Sequence, residues 1–306
     1  MDAAEVADRF GLGRVVKLSA GPVARGRQGE VWRLDTADGS WAVKVPFHES
    51  GNEASTRFQE AACAAGVPAP AVRRPVFTRT GDRPVRVYRW VDLEEPDPHL
   101  DPALVGAAVA AVHRVLVPAG GPVDPWYTEP VGAAGWDRLA ARLQQAAAPF
   151  AGRLAALRDE LVALESWLEA PAAVQTCHRD LWADNVRPTA QGGVCVIDWD
   201  NCGPADPAQE LAGVLFEFGR SDPGRARALM AAYTTAGGPA TVTRPGHFSM
   251  LIAQLGHIAQ LAATDWLEPN VRNPDRAGAA AWIAEILDEP HTRPVLSALL
   301  DVVSPR

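Results

Sequence analysis

The chain has 306 residues, 47% of them hydrophobic, with 29 basic and 37 acidic side chains and a net charge of −8. That apolar content excludes wholesale disorder, and the length suits two lobes better than one. The acidic balance disfavours a nucleic-acid partner, which needs a basic face, and fits an amine-rich one, though acidity also serves plain solubility.

Residues 2–10 read as a short helix stopped by Gly11 and Gly13. A strand follows at 15–18, then a stretch punctuated by Gly21, Gly26 and Gly29 that resumes as a strand at 30–34. Asp38-Gly39 marks a hairpin turn, and 41–45 (WAVKV) is the returning strand, apolar except for Lys44. The pattern Ala24-x-Gly26-x-x-Gly29-x-Val31 has the form of a phosphate-covering loop with alanine at its first glycine position. Glycine serves there because backbone N–H groups must approach phosphate oxygens without a Cβ in the way. Lys44, on the strand returning from that loop, fits a lysine that contacts nucleotide phosphates, and a water-facing edge lysine would read the same way.

A helix is expected over 52–65, ended by Gly66. One of its acids should hold Lys44. Glu53 and Glu60 lie seven residues apart on one face, and Glu53, nearer the helix start, is preferred. Strands at 72–76 and 85–90 flank a Gly81-Asp82 turn. Residues 89–92 form the expected hinge, where the backbone of Arg89, Trp90 and Val91 would receive a nucleobase. The expected division is a nucleotide-binding lobe over 1–91 and a helical lobe over 92–306. Helices are expected at 102–116, opened by Asp101 and Pro102, and at 136–148 and 150–169, a hairpin broken at Pro149. His113 reads as structural.

The richest stretch is 177–200, CHRDLWADNVRPTAQGGVCVIDWD. Strands at 173–177 and 194–197, folded together at Gly192-Gly193, would deliver His178, Asp180, Asn185, Asp198 and Asp200 at their ends. Carboxylates gathered in this way repel one another unless a cation sits among them. Oxygen ligands with a carboxamide among them suit Mg2+. Asp180-x-x-x-x-Asn185 followed by a strand-borne Asp198 matches phosphoryl transfer, one aspartate orienting the attacking hydroxyl while the asparagine and the later aspartate hold metal. Asp206 and Glu210 begin the next helix, where carboxylates favour the dipole. Helices follow at 223–236, 245–264 and 274–288, with Asp265, Trp266 and Glu268 as an acidic-aromatic cluster able to receive amines.

Taken together in this order, the glycine loop, Lys44, the helix acid, HRDLWADN and VIDWD resemble the aminoglycoside phosphotransferase family over essentially the whole chain. The resemblance implies an α+β, bilobal protein-kinase-like fold with a small antiparallel-sheet N-lobe and a larger helical C-lobe. It implies Asp180 as catalytic base, Asn185 and Asp198 as Mg2+ ligands, Lys44 on the phosphates of ATP or GTP, and His178 bracing the catalytic loop. Glu210 stands where the family usually has aspartate. The implied activity is phosphorylation of a small, cationic acceptor: an aminoglycoside or basic peptide antibiotic, or a choline, homoserine, thiosugar or macrolide substrate. A nucleotide-binding protein without catalysis, and a metal-dependent hydrolase using His178, Asp180, Asp198 and Asp200, are the competing readings. The four cysteines form no CxxC pair and read as reduced thiols. With no secretory signal and no apolar run of membrane-spanning length, the expected location is the cytoplasm, as a monomer or homodimer without membrane or nucleic-acid partners.

Overall fold

Helix α1 (Ala3–Phe10) begins where the Asp2 carboxylate accepts hydrogen bonds from the backbone N–H of Ala4 (2.9 Å) and Glu5 (3.2 Å). It stops where Gly11 turns left-handed at φ 58°, a conformation cheap only for glycine. The computed structural model describes residues 1–26, 29–47, 53–80, 83–268 and 276–304, so the Gly81-Asp82 turn and two residues of the glycine stretch, Arg27 and Gln28, lie outside the described residues. Strands β1 (Val15–Leu18), β2 (Ala24–Arg25), β3 (Gly29–Thr36) and β4 (Gly39–Pro46), helix α2 (Glu53–Ala64), and strands β5 (Val72–Thr80) and β6 (Arg83–Arg89) follow. The strands form an antiparallel sheet in the order β1-β3-β4-β6-β5, with β2 beside β3.

Successive strand side chains point to opposite faces. Trp41, Val43 and Val45 of β4 and Val85 and Val87 of β6 are buried in one core with Val6 and Phe10 of α1. Each such aliphatic side chain is worth about 1.5–3 kcal/mol when buried. Lys44 and Arg86 fall between these positions, so they face the other side of the sheet, and the register sets them directly opposite one another.

The chain continues through α3 (Pro102–His113), α4 (Ala133–Gln145), α5 (Ala151–Glu165), β7 (Gln175–Cys177), β8 (Val186–Pro188), β9 (Val194–Val196), β10 (Gly203–Ala205), α6 (Pro207–Gly219), α7 (Pro223–Thr235), α8 (Ser249–Leu267), α9 (Arg276–Asp288) and α10 (Arg293–Val303). Helices α3, α6 and α7 each open on Asp-Pro. Asp101, Asp206 and Asp222 accept from the N–H two residues on, at 2.9, 2.9 and 2.6 Å. Proline fits the next position because the first helical N–H groups have no intrahelical partner.

Two compact units result: residues 1–100 with 183–202, and residues 101–182 with 203–306. The first holds the sheet and the β8–β9 pair; the second is mostly helical. The α+β class expected from the sequence is therefore the one observed. In the second unit α4, α5, α8 and α9 share a core built on Trp136, Leu143, Phe150, Leu154 and Ile283. Helix α3 lies so close to α7 that a Cβ on Gly106 would come within 2.3 Å of the Leu229 carbonyl oxygen.

One strand pairing differs from expectation. The segments around 175 and 195 do not pair with each other; β7 pairs with β10, and β9 pairs with β8. Closing the short β8–β9 hairpin costs less chain entropy than closing the longer loop from β7 to β9. Gly192 at φ 83° and the Thr189 hydroxyl, which accepts from the Gly193 N–H at 3.1 Å, make the turn.

Asp206 is buried, and besides capping α6 its other oxygen accepts from the N–H groups of Ala172 (2.8 Å) and Ala173 (3.2 Å). Asp206→Ala leaves three backbone donors without this partner. The expected loss is about 2–4 kcal/mol of unfolding free energy in urea titrations, with Asp206→Asn losing less because an amide oxygen still caps the helix.

Candidate active site

The β8–β9 register pairs Val186 with Val196, so Asn185 comes opposite Ile197, whose N–H donates to the Asn185 carbonyl at 2.8 Å. Asp198 is the next residue. The hairpin thus brings Asn185 and Asp198, the two expected metal ligands, to one end of one element. Asp198 sits in the left-handed region at φ 54°. Such backbone strain costs a non-glycine residue about 1–3 kcal/mol and concentrates at functional sites.

Lys44 Nζ lies 2.7 Å from Asp198 Oδ1 and 2.9 Å from Asp200 Oδ2. Arg86 meets Asp200 with both terminal nitrogens, Nη1 to Oδ1 at 2.6 Å and Nη2 to Oδ2 at 2.8 Å. Burial favours neutral Lys44, but the two carboxylates outweigh it and raise its pKa. Burial likewise disfavours the Asp200 carboxylate, yet Arg86 and Lys44 overcome it and hold its pKa down at about 2. The Asp198 side chain keeps 45% of its exposure, against 9% for Asp200.

Neither expected helix acid reaches Lys44. Glu53 meets Arg57 at 2.6 Å, and Glu60 meets Arg74 at 3.0 Å. The helical rotation of about 100° per residue explains this. Ser55, Thr56, Phe58, Gln59 and Ala62 are the buried residues of α2, and Glu53 and Glu60 each lie roughly 140–200° around the helix from Ser55 and Phe58, the two that reach the 198–202 turn. The helix touches the 198–202 turn with other groups. Ser55 Oγ donates to the carbonyls of Asp200 (3.3 Å) and Cys202 (3.4 Å), and Phe58 packs edge-on to Trp199 with centroids 5.6 Å apart.

Of the two glycines in the expected phosphate loop, Gly29 is required by the sheet: a Cβ there would come 2.7 Å from the Val45 carbonyl oxygen. A Cβ on Gly26 would meet nothing within 4 Å. At the expected hinge, the Arg89 guanidinium lies over Trp41 (5.1 Å) and donates to the Asp38 carbonyl, while the Trp90 ring carries Arg33 (4.8 Å) and donates to Asp92 at 2.7 Å. Val91 is half-buried. Beyond it, the Glu94 N–H donates to Pro188 and the Ala190 N–H to Asp92, tying 92–94 to the hairpin that carries Asn185.

Asp180 belongs to the second unit and is partly exposed. Its neighbour Arg179 is also left-handed, at φ 66°, and three contacts hold it there. Its N–H donates to Glu210 Oε1, its carbonyl accepts from Gln254 Nε2 at 3.3 Å, and its guanidinium covers the Tyr127 ring at 4.5 Å. Glu210 is itself buried; its Oε2 accepts from His113 Nε2 at 2.8 Å, and His113 Nδ1 bonds the Tyr233 hydroxyl at 2.8 Å. Nε2 is the donor in that pairing, since a carboxylate oxygen only accepts. Burial opposes the Glu210 charge, but the His113 bond and the Arg179 N–H prevail and lower its pKa. His178 is fully buried.

Neither Glu210 nor Arg86 is among the chemical residues expected from the sequence. A usable signal existed for Arg86: PVRVY, like WAVKV, is an apolar strand with one internal cation. For Glu210 none existed, because its partners lie 31 and 97 residues away in sequence. The expected acceptor cluster is otherwise engaged. Asp265 is buried, Glu268 pairs with Arg142, and the Trp266 ring packs edge-on to Phe150 and carries the Arg276 guanidinium at 5.2 Å. Arginines of this chain occupy the carboxylate and ring face meant for an acceptor's amines, because α8 runs through residue 267 and turns these groups onto its neighbours.

Asn185 and Asp198 fit Mg2+ in donor chemistry: hard oxygens at one hairpin end, the carboxylate half exposed. His113, Cys177 and Glu210 also bring ligand atoms within 4.8 Å of one another, but both His113 nitrogens and both Glu210 oxygens are already hydrogen-bonded. Among the described residues no helix is long and apolar enough to cross a membrane.

The sequence model of the phosphotransferase enzyme family matches residues 19–244. No curated protein matches the chain. Among solved structures, spectinomycin phosphotransferase APH(9)-Ia, crystallised with ADP and spectinomycin, is similar at 13% identity and TM-score 0.71, covering 99% of this chain and 98% of that one. The aminoglycoside phosphotransferase from Alicyclobacillus acidocaldarius is 18% identical at TM-score 0.61, with 92% of each chain covered. A choline/ethanolamine kinase family protein from Mesorhizobium loti is 20% identical at TM-score 0.56, with 99% of each covered. These likenesses carry the kinase-like fold.

Removing one partner of a buried pair strands the other, at about 3–5 kcal/mol. Glu210→Ala is expected to lose stability of that order in urea unfolding, and Glu210→Gln less, since the amide oxygen can still accept from the Arg179 N–H.

Proposed function

The chain belongs to the phosphotransferase enzyme family, and on that footing we propose that it transfers the γ-phosphoryl group of ATP or GTP to a hydroxyl of a small cationic molecule. The observation that carries the reading is the contact between Lys44 and Asp198, 154 residues apart in sequence. It pairs a strand lysine suited to phosphates with a carboxylate suited to a metal. Asn185 and Asp198 would hold Mg2+. Bound there, the ion would neutralise charge on the phosphate oxygens.

Asp180 takes the acceptor side. Its carboxylate accepts a hydrogen bond from the acceptor hydroxyl and turns an oxygen lone pair toward phosphorus. The new bond joins that oxygen to the γ-phosphorus as the bond to the β-phosphate oxygen breaks, and the hydroxyl proton passes to Asp180. Most of the rate gain comes from positioning and charge compensation rather than from proton transfer. The rigid seating of Arg179 supports this role, since it fixes the backbone from which Asp180 projects.

The acceptor class we favour is an aminoglycoside or another basic antibiotic. The net charge of −8 and the similarity to a spectinomycin phosphotransferase support it. A small amino alcohol is the second reading, favoured by similarity to a choline/ethanolamine kinase family protein and to choline kinase LicA from Streptococcus pneumoniae.

A screen of ATP consumption over aminoglycosides, basic peptide antibiotics, macrolides and amino alcohols, read by mass analysis for one added phosphate, tests the proposal. With the acceptor found, Asp180→Ala is expected to lower turnover at least a hundredfold while nucleotide still binds. Asp198→Ala is expected to abolish magnesium-supported turnover. Full activity in either variant would overturn the assignment.

A further inference from the structure

Lys44 has no partner on α2, yet it is tightly held. Its ammonium has three protons, and two meet Asp198 and Asp200. The two acids are not equivalent. Asp200, its side chain 9% exposed, receives both arms of Arg86 at 2.6 and 2.8 Å besides Lys44 at 2.9 Å, so both its oxygens are engaged. Asp198 is half exposed and meets Lys44 through a single oxygen.

Arg86 stands directly across the β4–β6 ladder from Lys44. Two cations at opposed positions repel, and Asp200 lies between them. A bidentate arginine–carboxylate pair is planar and fixed in orientation, unlike a single lysine contact. The backbone under Asp200 is anchored as well. Ser55 Oγ donates to the Asp200 carbonyl, and the buried Trp199 indole donates to the Val196 carbonyl at 2.9 Å while Phe58 meets its edge.

We propose that Asp200 and Arg86 are positioning residues that fix Lys44 for the nucleotide phosphates, a task the sequence suggested for Glu53 or Glu60. Helix α2 contributes by bracing the 198–202 turn through Ser55 and Phe58. Asp198 is thereby left for the metal, so the two acids of Asp-Trp-Asp divide the work: the first for the ion, the second for the lysine. The proposal rests on the kinase reading for its purpose, but the mount itself is a property of the folded chain.

Two measurements on full-length protein separate those layers. The first is the rate of Lys44 acetylation by acetic anhydride, followed by peptide mass spectrometry without nucleotide. Asp200→Asn is expected to speed it at least threefold and Arg86→Lys to speed it less, with thermal midpoints recorded to confirm folding. The second is steady-state kinetics. Asp200→Asn is expected to raise KM for ATP tenfold or more, with a smaller fall in kcat, and Asp200→Glu to recover part of it. An acetylation rate in Asp200→Asn within 1.5-fold of wild type, or a KM rise for Glu53→Gln equal to that for Asp200→Asn, would overturn the mount. Faster acetylation in a protein that turns over no nucleotide would uphold the mount and overturn the kinase reading instead. Should Asp200→Asn fail to fold, Arg86→Lys and Asp200→Glu carry the same comparison, and unchanged acetylation in both overturns the proposal.

Discussion

Two cations forced into opposition on one sheet face are the constraint around which the first unit is arranged. The alternation of β4 and β6 gives Val43, Val45, Val85 and Val87 to the α1 core. The same alternation leaves Lys44 and Arg86 facing one another on the far side. Such a pair is tolerable only with counter-charge, and Asp198 and Asp200 supply it. A partly buried ion cluster of this kind is weak grounds for stability in itself, because desolvation consumes much of the attraction. Its value is geometric: each group's place is set by the others.

Backbone strain follows the chemistry in both units. Among the described non-glycine residues only Ala147, Arg179 and Asp198 have positive φ. Arg179 immediately precedes Asp180, and Asp198 ends the hairpin that carries Asn185. Strain of about 1–3 kcal/mol persists only where surroundings over-determine the conformation. For Arg179 the surroundings are Glu210, Gln254 and Tyr127. For Asp198 they include Lys44 on its side chain and the buried Trp199 that follows it.

Helix α2 shows how a single rotation decides function. Its charged face carries Glu53, Arg57 and Glu60, where Glu53 pairs with Arg57 and Glu60 with Arg74 of β5. Its buried face carries Ser55 and Phe58, which reach the 198–202 turn. A glutamate at position 55 would have faced that turn; serine there leaves the lysine to be held from β6 and the turn itself. Glu210 has a comparable logic, since its arm spans from α6 to the Arg179 N–H and to His113.

Local rules settled a good deal from the sequence by itself. Asp-Pro steps started α3, α6 and α7, Gly11 ended α1, and period-two alternation singled out Lys44 in a strand of valines, because each depends on residues a few positions apart. The spacing from Asp180 to Asn185 and on to Asp198 was legible for the same reason, being written in one contiguous stretch. Tertiary structure alone decided which strands of that stretch pair, that Asp200 belongs to Arg86 and Lys44, that Glu53 does not, and that Glu210 grips the loop before Asp180. The side-chain contacts among those outcomes join residues between 31 and 156 positions apart. They turn on which helix face is buried and which loop closes at least entropic cost, and a burial pattern or a register exists only once the elements have packed.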